Sequence, residues 1–304
     1  MIFAPTACGK TALTEQFFGK SSLFSFKDKA EIISADSMAV YQKMNIGTAK
    51  ADKKMLQEIP HHLVDIIPYT QQFSAADFVE LGDKACNDIF SRKKIPFIVG
   101  GTGFYIRSFI LGMPETPPGN AEIRLELKER IKKEGSDSLY KELGKIDEKS
   151  AKRIHPNDEY RICRALEVYY CSKRPLSSYE VPCKPREKYN FFTVILDRDR
   201  KELYSRIEER TEQMFKAGLE DEVNGLKKEG ACKTDPGMSA IGYKEFFDPL
   251  LKNTEEIKAA IKHNSKRYAK KQIVFMKDIP GARHFFAEDA EGIAQYIKGA
   301  FELL

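Results

Sequence analysis

The sequence is short of several things, and each shortage closes a class of function. No apolar run approaches the length of a membrane span. No charged-then-apolar stretch reads as a secretory signal. Six cysteines are scattered without one C-x-x-C pair, and the five histidines form no ligand-spaced set with them. This argues against a structural zinc site and, in a chain of 304 residues, against a disulfide framework. A reducing cytoplasm is the expected compartment, with no membrane partner. Internal repeats and low-complexity tracts are also missing.

What remains is ordinary globular material. Hydrophobic residues make up 42% and charged residues 31%, which suits one large domain or a core with a smaller companion. The net charge of +5 permits a polyanionic partner without requiring one.

Short apolar runs ending in small or polar residues read as buried strands: Glu31 to Ser34, Ile95 to Val99, Phe191 to Leu196, and a last one near Arg283 to Phe286. Helical patterns lie between them, and Ser74 with an acid three residues on marks a helix start. Such alternation predicts an α/β fold: a P-loop NTPase-like parallel sheet core with helices on both faces. The alternation stops after Gly112, at the Pro/Gly-rich MPETPPGN. Charged helical segments follow and CKPREKY closes the stretch, so 113–189 is expected to be a helical insertion domain within a core formed by 1–112 and 190–304.

The strongest chemical signal is Ala4-Pro5-Thr6-Ala7-Cys8-Gly9-Lys10-Thr11, which matches G-x-x-x-x-G-K-[ST] except at its first position. Such a loop wraps an anion in backbone N–H groups at a helix N-terminus; its Lys reaches a terminal phosphate and its Thr hydroxyl ligates Mg²⁺. Ala in place of the first Gly implies that position 4 keeps a negative φ. Only Met-Ile-Phe precedes the loop, short for a central strand, which raises the expectation that the natural chain starts further upstream. Cys8 has two readings: a thiol activated at a helix N-terminus, or an inert filler.

Strand EIIS runs into Ala35-Asp36-Ser37, and a carboxylate at that edge of a neighbouring strand can hold Mg²⁺ through water or act as general base. Its plainer reading is a helix cap. Strand IPFIV ends in Gly100-Gly101-Thr102-Gly103, where glycines admit close approach of a ligand and Thr102 offers a hydroxyl; a tight turn explains the same residues. Glu255 to Lys277 reads as one long helix on which Lys258, Lys262, Lys266 and Lys270 recur every fourth residue. Arg267 and Lys271 widen that ridge, and Tyr268 and Phe275 interleave it. A stripe of this kind suits an RNA backbone or is merely a solvated face.

Taken together, APTACGKT, ISADSMAVYQKMNIGTAK, PHHLVDI, FSAADF, IVGGTGFYI, HPNDEYRICRALEVY, AGLEDEV, SAIGYKEF and RYAKKQ resemble the tRNA dimethylallyltransferases, also called tRNA isopentenyltransferases, in the family's order and over nearly the whole chain. The resemblance implies transfer of a dimethylallyl group from dimethylallyl diphosphate to N6 of the adenosine on the 3′ side of the anticodon in tRNA. It implies that Ala4 to Thr11 hold the diphosphate, with Mg²⁺ on Thr11. Lys10 would stabilise the leaving group, Thr102 would donate to a departing oxygen and Asp36 would accept the amine proton. It carries tRNA contacts to Asp36, Ser37, Met38 and Ala39, to Thr102 and Arg124, to Tyr160, Arg161, Ile162, Cys163 and Arg164, and to Ile241, Gly242, Tyr243 and Lys244. Ala39 stands where relatives commonly carry Gln, Lys266 replaces an arginine, and QIVFMK lacks the usual tryptophan and arginine.

Two other readings compete. A P-loop small-molecule or nucleoside kinase shares the loop and the acid, and predicts ATP turnover, which the prenyl transfer does not need. A nucleic-acid-binding module without catalysis explains the basic helix but not the gathering of Lys10, Thr11, Asp36 and Thr102. A monomer is the expected state.

Overall fold

The computed structural model describes residues 1–22, 24 and 26–302. Six strands form one all-parallel sheet: β1 (Ile2–Phe3), β2 (Ala30–Ala35), β3 (His61–His62), β4 (Ile95–Gly100), β5 (Thr193–Asp197) and β6 (Ala282–Phe286), in the order β3-β2-β4-β1-β5-β6. The helices that follow its first four strands in turn are α1 (Lys10–Phe18), α2 (Lys53–Glu58), α3 (Ala75–Ser91) and α4 (Gly103–Leu111). The other helices are α5 (Ala121–Glu134), α6 (Ser136–Ile146), α7 (Glu148–Arg153), α8 (Glu159–Ser172), α9 (Arg200–Lys216), α10 (Leu219–Lys228), α11 (Thr254–Met276) and α12 (Ala290–Phe301).

The strands are near-continuous apolar runs because a parallel sheet is covered on both faces. Every residue of β2 is buried, including Glu31 at its start. Burial alone would raise the Glu31 carboxyl, yet hydrogen bonds from His62, Arg92 and Lys94 hold it down at about 2. That cluster pins the two-residue edge strand β3 to β2. Leu13, Phe17 and Phe18 of α1 pack against Ile2, Ile32 and Phe97 in the main core. The start of α3 is closed by a reciprocal capping box: Asp77 N–H donates to Ser74 Oγ at 3.2 Å and Ser74 N–H to Asp77 Oδ2 at 2.7 Å. Such a cap stabilises a helix by about 1 kcal/mol.

Three sequence expectations shift. Phe191 and Phe192 precede the ladder, and β5 begins at Thr193: Phe191 turns its ring to Phe109 and Tyr189 instead. The chain divides into Met1–Leu111 with Pro185–Leu304, and Gly112–Lys184. Residues 185–189, expected at the end of the insertion, thus belong to the core unit. Arg186 is the reason, since its N–H donates to Ile110 O at 2.8 Å, its Nε to Phe109 O at 2.8 Å and its Nη1 to Asp83 at 2.8 Å. Residues 303 and 304 of the expected core lie outside the described residues. The second unit is all helical, closed around Leu127, Leu139, Leu143, Ile162 and Leu166.

The third shift concerns strand order. Asp36 follows β2, which is not the neighbour of β1; β4 lies between them. Asp36 is nevertheless close enough to Lys10 to act on its charge. Glycine at the end of β4 makes this possible, because a Cβ on Gly100 would lie 2.1 Å from Ala35 O.

Candidate active site

The phosphate loop leaves β1 at Ala4 and enters α1 at Lys10. Ala4 is not among the left-handed residues; that conformation falls to Ala7 (φ 62°) and Gly9 (φ 114°). Alternating backbone handedness turns successive N–H groups to one side and makes an anion nest. Lys10 Nζ bends back over the loop and donates to Ala4 O at 3.0 Å and Pro5 O at 2.9 Å. Desolvation first, and then the Arg210 charge, pull its ammonium down to about 8, against the opposing pull of Asp36.

The loop is braced from far along the chain, by three arginines outside every motif quoted above and by Gln272 at the end of RYAKKQ. Arg198 Nε donates to Cys8 O at 3.1 Å, Arg206 Nε to Ala7 O at 2.9 Å and Arg210 Nη1 to Thr6 Oγ1 at 3.3 Å. Gln272 of α11 accepts Thr6 N–H at 3.0 Å and donates to Gly101 O at 2.7 Å, so one buried amide joins the two loops. Burial lowers the Arg210 guanidinium from its ordinary value. Among the described residues neither Lys10 nor Arg210 forms an ion pair with a carboxylate. Two desolvated cations with no carboxylate in ion-pair contact, Asp36 acting on both only from a distance, stand over a ring of N–H groups and make a site for an anion. The only sequence signal for the arginines is their i, i+4 spacing within SRIEERTEQ, which by itself reads as a solvated helix face.

A cavity of about 760 Å³ opens on this cluster. Thr6, Ala7, Gly9, Lys10 and Thr11 line it, with Asp36, Ser37, Met38, Ile241 and Lys244. Thr11 is exposed at its mouth. Asp36 Oδ1 accepts Met38 N–H at 2.9 Å, so the carboxylate caps a turn rather than a helix, and the residue lines the cavity.

Other expected residues stand elsewhere. Ala4, Pro5 and Cys8 are buried beneath the loop and contribute backbone. Burial pushes the Cys8 thiol up, outweighing Lys10 and Arg198, and its Sγ donates to Leu196 O at 3.4 Å. The activated-thiol reading is therefore corrected: the helix N-terminus cannot offset placement in the core. Thr102 does not line the cavity. Its Oγ1 accepts Ser37 N–H at 3.0 Å and lies 3.3 Å from Ser37 Oγ, so it positions Ser37, a residue that does line the cavity. Ala39 is buried and off the cavity wall. Tyr243 is fully buried, its hydroxyl donating to Glu222 Oε1 at 2.5 Å, and Gly242 (φ 98°) supplies the turn between Ile241 and Lys244.

Within the helical unit, Arg124 and Arg164 are turned inward. Arg124 Nε meets Glu167 Oε1 at 2.8 Å and Arg164 Nη1 meets Glu167 Oε2 at 2.6 Å, around a fully buried carboxylate. Ile162 lies in that unit's core and Cys163 is half-buried. Tyr160 is 79% exposed, and Arg161 is outward, paired only with Asp158 at 3.2 Å.

The basic ridge of α11 is also partly internal. Lys262 meets Glu212 at 2.5 Å, Lys258 meets it at 3.6 Å, and Lys266 pairs with Glu208, all on α9. Lys270, Lys271 and Arg267 stay exposed without an ion pair among the described residues. The expected stripe thus shrinks to its C-terminal part, because antiparallel packing of α9 and α11 takes the remaining charges.

Comparison with known proteins bears on this arrangement. The IPP transferase family model matches residues 39–279. The tRNA dimethylallyltransferase of a Thermoanaerobacter species is 39% identical, over 100% of this chain and 96% of its own. The tRNA dimethylallyltransferase 2 of Geotalea uraniireducens is 41% identical, over 91% and 89%. The solved tRNA isopentenylpyrophosphate transferase of Bacillus halodurans is 33% identical, with a TM-score of 0.69 over 99% of this chain and 96% of that one. A eukaryotic dimethylallyltransferase acting on tRNA shares the fold, with a TM-score of 0.77 at 24% identity over 99% of this chain and 76% of that one.

Proposed function

The chain belongs to the IPP transferase family, and from that premise we propose that it transfers a dimethylallyl group from dimethylallyl diphosphate to N6 of the adenosine on the 3′ side of the anticodon in tRNA, releasing pyrophosphate. The observation that carries the donor half is the pair of desolvated cations outside any ion pair, Lys10 and Arg210, beside the Ala7–Gly9 nest. A diphosphate ester is the anion they suit. As its C1–O bond breaks, negative charge grows on the leaving oxygens. Lys10, Arg210, Arg206 and the loop N–H groups stand around the cavity to receive it, Lys10 exchanging its bonds to Ala4 O and Pro5 O for the anion. The attacking amine becomes positive, and Asp36 on the same cavity accepts its proton. In the first unit Ser37, Lys244 and the exposed Arg267, Lys270 and Lys271 are polar groups available to RNA; in the helical unit the exposed Tyr160 and Arg161 are.

Magnesium, when bound, supplies neutralisation of the diphosphate charge. Among the described residues no group of three or more His, Cys, Asp or Glu could cage it. Mg²⁺ keeps most of its waters and shares phosphate oxygens, so the Thr11 hydroxyl with Asp36 on the same cavity fits it. No helix of the described residues is long and apolar enough to cross a membrane; a monomer acting on tRNA in the cytoplasm is part of the proposal. Nothing in the geometry favours the kinase alternative.

The test is incubation with Mg²⁺, labelled dimethylallyl diphosphate and unmodified tRNA, with and without ATP. Label on the adenosine beside the anticodon without ATP, reduced about 10²–10⁴-fold in Asp36→Ala, is the expected result. ATP hydrolysis or phosphorylation of a small acceptor, with no transfer to RNA, overturns it.

A further inference from the structure

The cavity has two chemically different ends. Thr6, Lys10, Arg206 and Arg210 line one, and Met214, Ile241 and Ile261 line the other. Helix α9 orders them. Arg206, Arg210 and Met214 follow at four-residue spacing on one face, so Met214 stands about 6 Å past Arg210 along the axis. Helix α11 runs back beside it, as the pairing of Glu212 with Lys262 and of Glu208 with Lys266 fixes. Ile261, fully buried, therefore sits level with the Met214 end and Tyr268 with the Arg206 end.

The apolar end has a wall that cannot yield. Gly47 lines the cavity there and its N–H donates to Tyr243 Oη at 3.1 Å. Glu222 holds that hydroxyl and also accepts the N–H groups of Asn45 and Ile46, each at 3.0 Å. A Cβ on Gly47 would lie 2.4 Å from the Tyr243 ring and 3.0 Å from Leu219, the residue that opens α10 just past the end of α9.

We propose that this end measures the hydrocarbon of the donor, admitting one isoprene unit and excluding two, with Met214 as the specificity-determining side chain. The proposal rests on the transferase reading above. With the diphosphate anchored on the cations, the tail has no hydrogen-bonding demand and leaves water for apolar walls. A dimethylallyl chain, roughly 5 Å long, fits within the rise of about 6 Å from Arg210 to Met214; a chain of two isoprene units overruns it. Methionine is unbranched and fills the end without a fixed shape, so shortening it lengthens the cavity while the Glu222-held wall stays in place.

The test compares the unsubstituted protein with Met214→Ala and, from the facing wall, Ile241→Ala, so that a variant without activity leaves the other readable. Each receives dimethylallyl diphosphate and geranyl diphosphate with the same unmodified tRNA. The quantity read is the geranyl-to-dimethylallyl ratio of kcat/KM within each preparation, from which any misfolded fraction cancels. The expected result is a ratio raised about tenfold or more in the variants, the range a methylene-sized change in an apolar pocket commands. An unchanged ratio with dimethylallyl transfer still measurable overturns the gauge and leaves the transferase standing. A change confined to the KM for tRNA puts the nucleobase at this end and overturns it equally. No transfer of either donor by the unsubstituted protein overturns the transferase reading, and the gauge falls with it.

Discussion

The Arg210 guanidinium lies 3.3 Å from the Thr6 hydroxyl, across 204 residues of sequence, and among the described residues no carboxylate meets it in an ion pair, Asp36 acting on its charge only from further off. Burial lowers its pKa, and the neighbouring ammonium of Lys10 is lowered too. Two like charges held together and partly stripped of water are costly for the protein alone. The arrangement becomes favourable when an anion arrives.

Arg210→Ala is accordingly expected to lower kcat/KM by about 10²–10³, the scale of losing one preorganised donor to developing charge. Its Tm without ligand should stay level or rise, since an uncompensated cation is gone. Pyrophosphate should raise the Tm of the unsubstituted protein, by about 2.7 kcal/mol of stability at a hundredfold excess over Kd, and raise that of the variant much less. A variant that loses Tm as much as activity would make Arg210 a structural residue.

Lys10 predicts a pH dependence. Its ammonium falls from an ordinary 10.5 to about 8 in the folded protein. Between those values the unfolded chain binds more protons at this residue than the folded one, so its contribution to stability rises with pH across that window and is a full penalty below it. Anion binding runs the other way, because it needs the charged form. Pyrophosphate affinity should weaken above about pH 8, by up to about tenfold per pH unit. Titration calorimetry against Lys10→Arg, whose charge does not titrate here, cancels the ligand's own ionisation. Parallel pH profiles for the two proteins would remove the assignment.

The thiols should react in an order set by burial. Cys171, Cys183 and Cys232 are exposed, Cys163 is half-buried, and Cys8 and Cys86 are buried. Desolvation pushes Cys86 up to about 12 and Cys8 above its ordinary value. A charged alkylating agent should label the three exposed positions first in the native protein and reach Cys8 only on unfolding, with or without pyrophosphate. Mass spectrometry of tryptic peptides reads the order, and rapid ligand-protected labelling of Cys8 would contradict its placement.

Glu167 and Arg161 separate stability from RNA binding in the helical unit. Glu167→Ala leaves Arg124 and Arg164 facing each other without their buried carboxylate and should cost about 3–5 kcal/mol, seen as a lower denaturation midpoint. Arg161→Ala should leave that midpoint unchanged and weaken tRNA binding, reducing the slope of log Kd against log salt by about one. Equal effects of the two on stability would mean that Arg161 is part of the fold.

Much of this protein was already legible in its residues. Short, mainly apolar runs mark β2 and β4, since a strand covered on both faces is mainly apolar, while the edge strand β6 shows only in its closing Phe285-Phe286. The anion loop shows in Gly9-Lys10-Thr11 because phosphate wrapping demands a glycine turn followed directly by a lysine at a helix start. The order of motifs carries the family. Tertiary structure decided what becomes of each charge. Lys258, Lys262 and Lys266 look alike in sequence to Lys270 and Lys271, yet α9 takes the first three into ion pairs. Arg124 and Arg164 read as surface cations until Glu167 is placed between them. Arg206 and Arg210 carry no motif, and Gln272 closes RYAKKQ without showing its role there, because their meaning lies in contacts with Thr6 and Ala7 some two hundred residues or more away. Local sequence sets backbone shape and burial through short-range sterics and hydrophobic period. Which cation is neutralised and which is left for a ligand depends on distances between helices, and only the folded chain sets those.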